Sequence, residues 1–209
     1  MNENRYVNLL VSVPVCSFRK GFAREYLETE KVPPPSTVYG FLLSLVGEGD
    51  RSRYLGSRIA YALINKPELS MALRTTWRIK NKKIPPGVGV NRRPDYHEIL
   101  TDLCFAIWAF RGELSERIMA VQTNPELVER YGGLSLGESR DLVNDILWFP
   151  KWPQERGYWL VRDPEGDLPL PVWVDHVGSK GTIWQQFSLK EGILETPPEN
   201  DERWITIEK

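Results

Sequence analysis

A chain of 209 residues with 41% apolar content can bury one sizeable core, with at most a small appendage. Its formal net charge of −1 excludes a global basic field, so any grip on a polyanion must come from local patches. No apolar run approaches membrane-spanning length, and MNENRYVNLL lacks the basic-then-apolar layout of a signal peptide, so a cytoplasmic protein without membrane contact is expected. Cys16 and Cys104 sit in apolar, strand-like surroundings and predict buried thiols, not a disulfide scaffold.

Residues 6–15 (YVNLLVSVPV) predict a strand, with Val7, Leu9, Val11 and Val13 alternating onto one face. Residues 16–26 follow as a basic loop, in which Arg19, Lys20 and Arg24 alternate with Phe18, Phe22 and Tyr26. Cations mixed with rings recur in single-strand nucleic-acid sites, and the same mixture also suits a surface loop anchored by aromatics. Residues 32–47 predict a helix. Three prolines precede it, Ser36 or Thr37 is placed to cap it, and Val38, Phe41, Leu42 and Leu45 form its apolar face. Gly40 is expected to permit close packing on the sheet, and Gly47 and Gly49 to end the helix. Its free N–H groups beside Ser36 could hold a phosphate. Residues 58–64 predict a short strand.

Residues 69–80 and 99–110 predict a long β-hairpin around Pro85-Pro86-Gly87. Between positions 70 and 94 there is no Asp or Glu, while Arg74, Arg78, Lys80, Lys82, Lys83, Arg92 and Arg93 all fall there. A projecting, cationic, irregular tip suits phosphates, since each Lys or Arg displaces counterions. Trp77 is the best-placed ring for stacking on a base. Residues 114–131 predict a helix with Leu114, Ile118, Val121, Leu127 and Val128 as apolar positions, broken at Asn124-Pro125.

Residues 131–149 open with Gly132, Gly133 and Gly137, where backbone can approach something closely, with Ser135, Ser139 and Arg140 as donors. This is neither a Walker nor a dinucleotide fingerprint, and a structural turn is the alternative. Residues 142–149 predict the next strand. Beyond Pro150, prolines separate short aromatic strands at 158–162, 170–174 and 182–187, before an acidic tail with an edge strand at 204–207. Trp148, Trp152, Trp159, Trp173 and Trp184 read as core or interface fillers. The element order fits an α+β, ferredoxin-like domain over residues 1–149, with a smaller antiparallel β region over 150–209.

His97 and His176 are the only histidines, no Cys or His spacing resembles a zinc site, and there is no nucleophile elbow or P-loop. A metal-free ribonuclease could draw on Tyr26, Tyr96 and His97, with Lys82 or Lys83 facing the phosphorane. No spacing supplies His97 with positioned partners, so it reads as an ordinary polar residue at the hairpin's end.

Three stretches carry a resemblance: VPVCSFRKGFAREYLETEKVPPPSTVYGFLLSLVGEG (13–49), LRTTWRIK…GVGVNRRPDYHEIL (73–100) and YGGLSLGESRDLVND (131–145). Over roughly its first 150 residues the chain resembles the CRISPR-associated Cas-five family, most closely its DevS-like branch. The resemblance implies an RNA-recognition-motif type of fold with a protruding thumb at residues 78–93. It further implies a cofactor-free subunit of a type I, Cascade-type effector complex. Such a subunit grips the 5′ handle of the guide RNA, caps a backbone of Cas-seven subunits, contacts a Cas-eight-type large subunit and meets target DNA through the complex. Arg19 and Arg24 would lie along the handle, and the 132–140 loop near its phosphates. DevS-like members also occur in CRISPR-associated transposons, so antiviral defence and guided transposition both stay open. One branch cuts precursor RNA using a Tyr and an adjacent Lys-His pair. That pair is absent here, where His97 follows Tyr96, so a separate Cas-six-type nuclease is expected. Two alternatives remain: a metal-independent endoribonuclease, and a protein-interaction module dominated by the aromatic C-terminal part.

Overall fold

A computed structural model describes residues 6–21, 23, 26–177 and 180–209 of the chain. It is an α+β structure, a mostly antiparallel sheet with two helices. Strand β1 (Val7–Cys16) buries Val7, Leu9, Val11 and Val13 on one face, as their alternation predicts. Helix α1 (Pro35–Leu45) begins one residue before Ser36, and Pro34, not Ser36 or Thr37, occupies the cap position without a side-chain bond. Pro35 suits the first turn because its missing N–H would be unpaired there anyway. Gly47, at φ +72°, turns the chain out of the helix as expected. Gly40 does not serve close packing on the sheet: a Cβ there would meet nothing within 4 Å, because this face borders a cavity.

Strands β2 (Arg58–Leu63), β3 (Glu68–Trp77) and β4 (Arg92–Ala109) follow. Helix α2 (Glu113–Thr123) stops at Asn124, and a 3-10 turn starts on Pro125, as the Asn-Pro dipeptide predicts. Strands β5 (Asp145–Trp148), β6 (Arg156–Arg162), β7 (Leu168–Trp173), β8 (Ile183–Ile193) and β9 (Ile205–Thr206) complete the chain. The sheet runs β5-β1-β4-β2-β6-β8-β7, with β3 on the extension of β4 and β9 on β2. Strand β6 joins it through Ala62↔Trp159 and Leu63↔Tyr158, so strands beyond residue 150 continue the same sheet.

The main core lies on the helix side. There β1 meets Val38, Leu42 and Leu45 of α1 and Leu114, Ile118 and Val121 of α2. The other face carries a second cluster of Ala60, Ala62, Ala106, Trp108, Trp159 and Trp204. Trp159 and Trp173 are therefore core residues, while Trp77 and Trp184 stay 70% and 43% exposed. Both cysteines are free. Burial pushes the fully enclosed Cys16 thiol up to about 12, with the Asp141 carboxylate adding to the effect. No helix among the described residues is long and apolar enough to cross a membrane.

The hairpin is the β3–β4 ladder, running from Glu68↔Thr101 to Trp77↔Arg92. Its second strand begins at Arg92, seven residues before the predicted start, because the ladder overrides the poor strand propensity of Pro94 and Asp95. At its foot Asp102 has φ +58° and accepts two bonds from Asn65 Nδ2, one at its carbonyl (2.7 Å) and one at its side chain (3.1 Å). That kink separates β2 from β3, which otherwise run one after the other along β4.

Candidate nucleic-acid interface

The hairpin tip, expected to be irregular, is built around Asn91, whose side chain is wholly buried. Asn91 Oδ1 accepts the N–H groups of Lys80 and Asn81, each at 2.8 Å. Its Nδ2 donates to the carbonyls of Asn81 (2.7 Å) and Ile84 (2.5 Å). An amide that both donates and accepts can close a loop that has no ladder of its own. The Trp77 indole lies against Gly87, where a Cβ would fall 2.6 Å from the ring. Gly87 also has φ +79°, so both the contact and the backbone require glycine. With one face held and the side chain 70% exposed, Trp77 presents its other face outward.

Arg78, Lys80, Lys82, Lys83 and Arg92 are exposed around this tip and make no ion pair among the described residues. The other two predicted cations differ. Arg93 Nε stands 2.6 Å from Asp95 Oδ1, and Arg74 faces Asp95 across the ladder. The Asp95 carboxylate thus draws the Arg93 guanidinium toward the stem, whereas Arg74 is half-buried and its Nη1 has no hydrogen-bond partner among the described residues.

The loop after β1 folds back on itself. Arg19 Nη2 donates to the Ala23 carbonyl (2.8 Å), Lys20 Nζ lies 3.9 Å from Glu28, and Arg24 falls outside the described residues. Phe18, expected as a stacking ring, is instead core: its N–H donates to Thr29 Oγ1 (2.7 Å), which draws it inward to 4% exposure. Tyr26 is 38% exposed and donates to Glu98 Oε1 (3.0 Å). The Glu98 hydrogen bond holds its hydroxyl above the ordinary range, which makes Tyr26 a poor general base.

A buried polar network ties this loop, the hairpin and the glycine-rich loop together. Asp141 Oδ2 accepts the N–H groups of Ser17 (2.9 Å) and Glu138 (3.0 Å). His97, in β4 and 1% exposed, places Nε2 3.1 Å from Ser17 Oγ and Nδ1 3.1 Å from Arg140 Nη2. A guanidinium only donates, so Nδ1 is the acceptor and Nε2 carries the proton toward Ser17. The polar residue expected at the hairpin's end is therefore buried, and the fold supplies both of its ring nitrogens with the partners that no spacing signals. Arg140 also pairs with Glu138. Gly137, at φ +104°, would place a Cβ 2.5 Å from the Ser17 carbonyl oxygen. The close backbone approach that the glycine-rich stretch predicts thus occurs here against the chain's own Ser17. Gly133 packs near Leu142, and Ser139 is exposed.

Three predicted residues do converge. Ser36, Ser135 and Gly137 border one cavity of about 540 Å³ at the start of α1, together with Arg51, Arg130 and His176. Sequence spacing could not bring in those last three, which come from a turn and two loops far apart in the chain. Arg51 Nη1 donates to the Val174 carbonyl (3.0 Å) and its guanidinium covers the Trp173 ring at 4.6 Å; Arg130 Nη1 donates to the Ser44 carbonyl (3.2 Å).

Comparison with known proteins gives one curated relative at high similarity. The chain is 42% identical over 199 residues to the CRISPR-associated protein Cas5 of Myxococcus xanthus (strain DK1622), spanning 91% of this chain and 92% of that protein. Among solved structures, a chain of a CRISPR RNA-guided surveillance complex shares the fold, with a TM-score of 0.62 and 14% identity, over 94% of this chain and 96% of that one. A Cas protein crystal structure aligns with a TM-score of 0.53 and 15% identity, over 90% and 94% of the two chains. No family model matches.

Proposed function

Because this chain belongs to the Cas5 family of CRISPR-associated proteins, we propose that it is a non-catalytic RNA-binding subunit of a type I, Cascade-type effector complex. The hairpin is the thumb that grips the 5′ handle of the guide RNA. The observation that carries this function is the tip: five exposed cations with no carboxylate partner among the described residues, on an ordered loop beside a half-free indole. Phosphates take the cations and a base takes the ring. The cavity bordered by Ser36, Ser135 and Gly137 extends the path for the backbone along the glycine-rich side.

A ferredoxin-like core over residues 1–149 is supported by the strand order β5-β1-β4-β2, with α1 between β1 and β2 and α2 between β4 and β5. The strands of residues 150–209 form the smaller β region, added to the far edge of that core. Family membership favours a seat at one end of a Cas-seven backbone beside a Cas-eight-type subunit, with target DNA reached through the assembly, in antiviral defence or RNA-guided transposition. The burial of His97 and its bond from Arg140 favour a structural histidine over a ribonuclease one.

The test is an electrophoretic shift in EDTA, comparing guide RNA bearing the handle with a scrambled RNA of equal length. The expected result is at least about tenfold tighter binding of the guide, some 1.4 kcal/mol, with both RNAs intact. Equal affinities would refute handle recognition, and cleavage at one position of a repeat RNA would refute the non-catalytic assignment.

A further inference from the structure

Among the described residues the sheet path ends in β5 and β7, and β3 extends it from β4; the first two edges are guarded. Strand β5 is only four residues long and begins with Asp145, and β7 carries Pro169 and Pro171. Short length, charge and proline are the usual means of keeping a strange strand off an open edge. Strand β3 is neither short nor interrupted by proline, and the stretch from Leu69 to Leu73 carries no charge. It is ten residues long, pairs only with β4, contains no proline or lysine, and its charges are Glu68 and Arg74. Its outer row of backbone N–H and C=O groups is open.

The side chains beside that edge are equally unusual. Leu69, Met71 and Leu73 alternate onto one face of β3 and are 61%, 56% and 63% exposed. Tyr96, directly across from Leu73, continues the stripe at 54%. Contiguous exposed apolar surface on a projecting arm marks a contact with another macromolecule. The stripe is mainly aliphatic, and Leu and Met offer a nucleic acid neither charge nor a stacking ring. The open edge fixes the geometry of what can lie there, since only an extended backbone satisfies a row of strand groups. Charge fixes its polarity: Arg78, Lys80 and Arg92 crowd the tip end of β3, and Glu68 stands at its foot.

We propose that β3 takes up an extended segment of a partner protein as an added strand, apolar at alternate positions and acidic at the end beside the tip. This rests on the chain being a complex subunit. It divides the arm between two ligands, the tip for guide RNA and the stem for protein.

Hydrogen–deuterium exchange of the peptide spanning residues 68–77 tests it, comparing the isolated chain, the chain with guide RNA, and the assembled complex. The outward amides of β3 are expected to slow at least about tenfold in the complex and not with RNA alone. In a Leu69→Lys/Leu73→Lys variant that protection is lost, while β1 and β4 amides and the handle affinity stay within about twofold of the unaltered chain. Unprotected β3 in an intact complex overturns the proposal and leaves RNA gripping untouched, whereas loss of handle binding by the unaltered chain would strike the proposed function instead. Protection by RNA alone, or by self-association of the purified chain at high concentration, also overturns it.

Discussion

Changing Arg78, Lys80, Lys82, Lys83 and Arg92 together to Gln is expected to cut affinity for handle-bearing guide RNA on the order of a thousandfold near 0.1 M salt. Each phosphate neutralised on single-stranded RNA adds about 0.7 to the slope of log K against log salt, so five contribute about 3.5. One decade below 1 M salt, that slope is worth roughly three orders of magnitude. A salt titration distinguishes this from misfolding: the slope flattens by about 3.5 and the two proteins converge near 1 M. The tip should keep its shape, since Asn91 closes it through backbone groups, and of the five side chains only Arg78 makes a bond within it, at 3.4 Å to the Val90 carbonyl. An unchanged slope would mean that these cations face solvent in the bound state.

Asp141→Ala is expected to lower the melting temperature by roughly 10 °C. The carboxylate is 5% exposed and accepts the Ser17 and Glu138 N–H groups at 2.9 and 3.0 Å. Two donors left without a partner cost about 1–3 kcal/mol each, and about 4 kcal/mol in a chain of this size corresponds to that shift. Asp141→Asn keeps an acceptor oxygen and should recover more than half of the loss. Thermal unfolding followed by circular dichroism reads both variants. A drop under about 2 °C for Asp141→Ala would show that the network does not hold the loops at the root of the hairpin.

Where periodicity carries the information, the sequence spoke plainly. The alternation of β1, the apolar face of α1, the break at Asn124-Pro125 and the hairpin itself all follow from local pattern. The missing parts depend on single polar residues meeting across the fold. Ser17 lies 124 residues from Asp141 and 80 from His97, so no spacing signals that they bond. Asn91 is one polar residue in a loop, and only the folded tip reveals that its amide closes it. Phe18 sits among cations in the chain but is drawn inside by Thr29. Ser36, Ser135 and Gly137 were legible as donors and glycine, but their shared cavity depends on where α1 meets the glycine-rich loop. The apolar edge of β3 was masked because the same residues read equally well as half-buried strand.

Photo-crosslinking in the assembled effector complex, with 4-thiouridine at successive handle positions of the guide, tests the central claim most directly. The expected adducts map to the peptide spanning residues 77–93, around Trp77 and the five tip cations. Adducts confined to other subunits, with that peptide unmodified at every handle position, would contradict it.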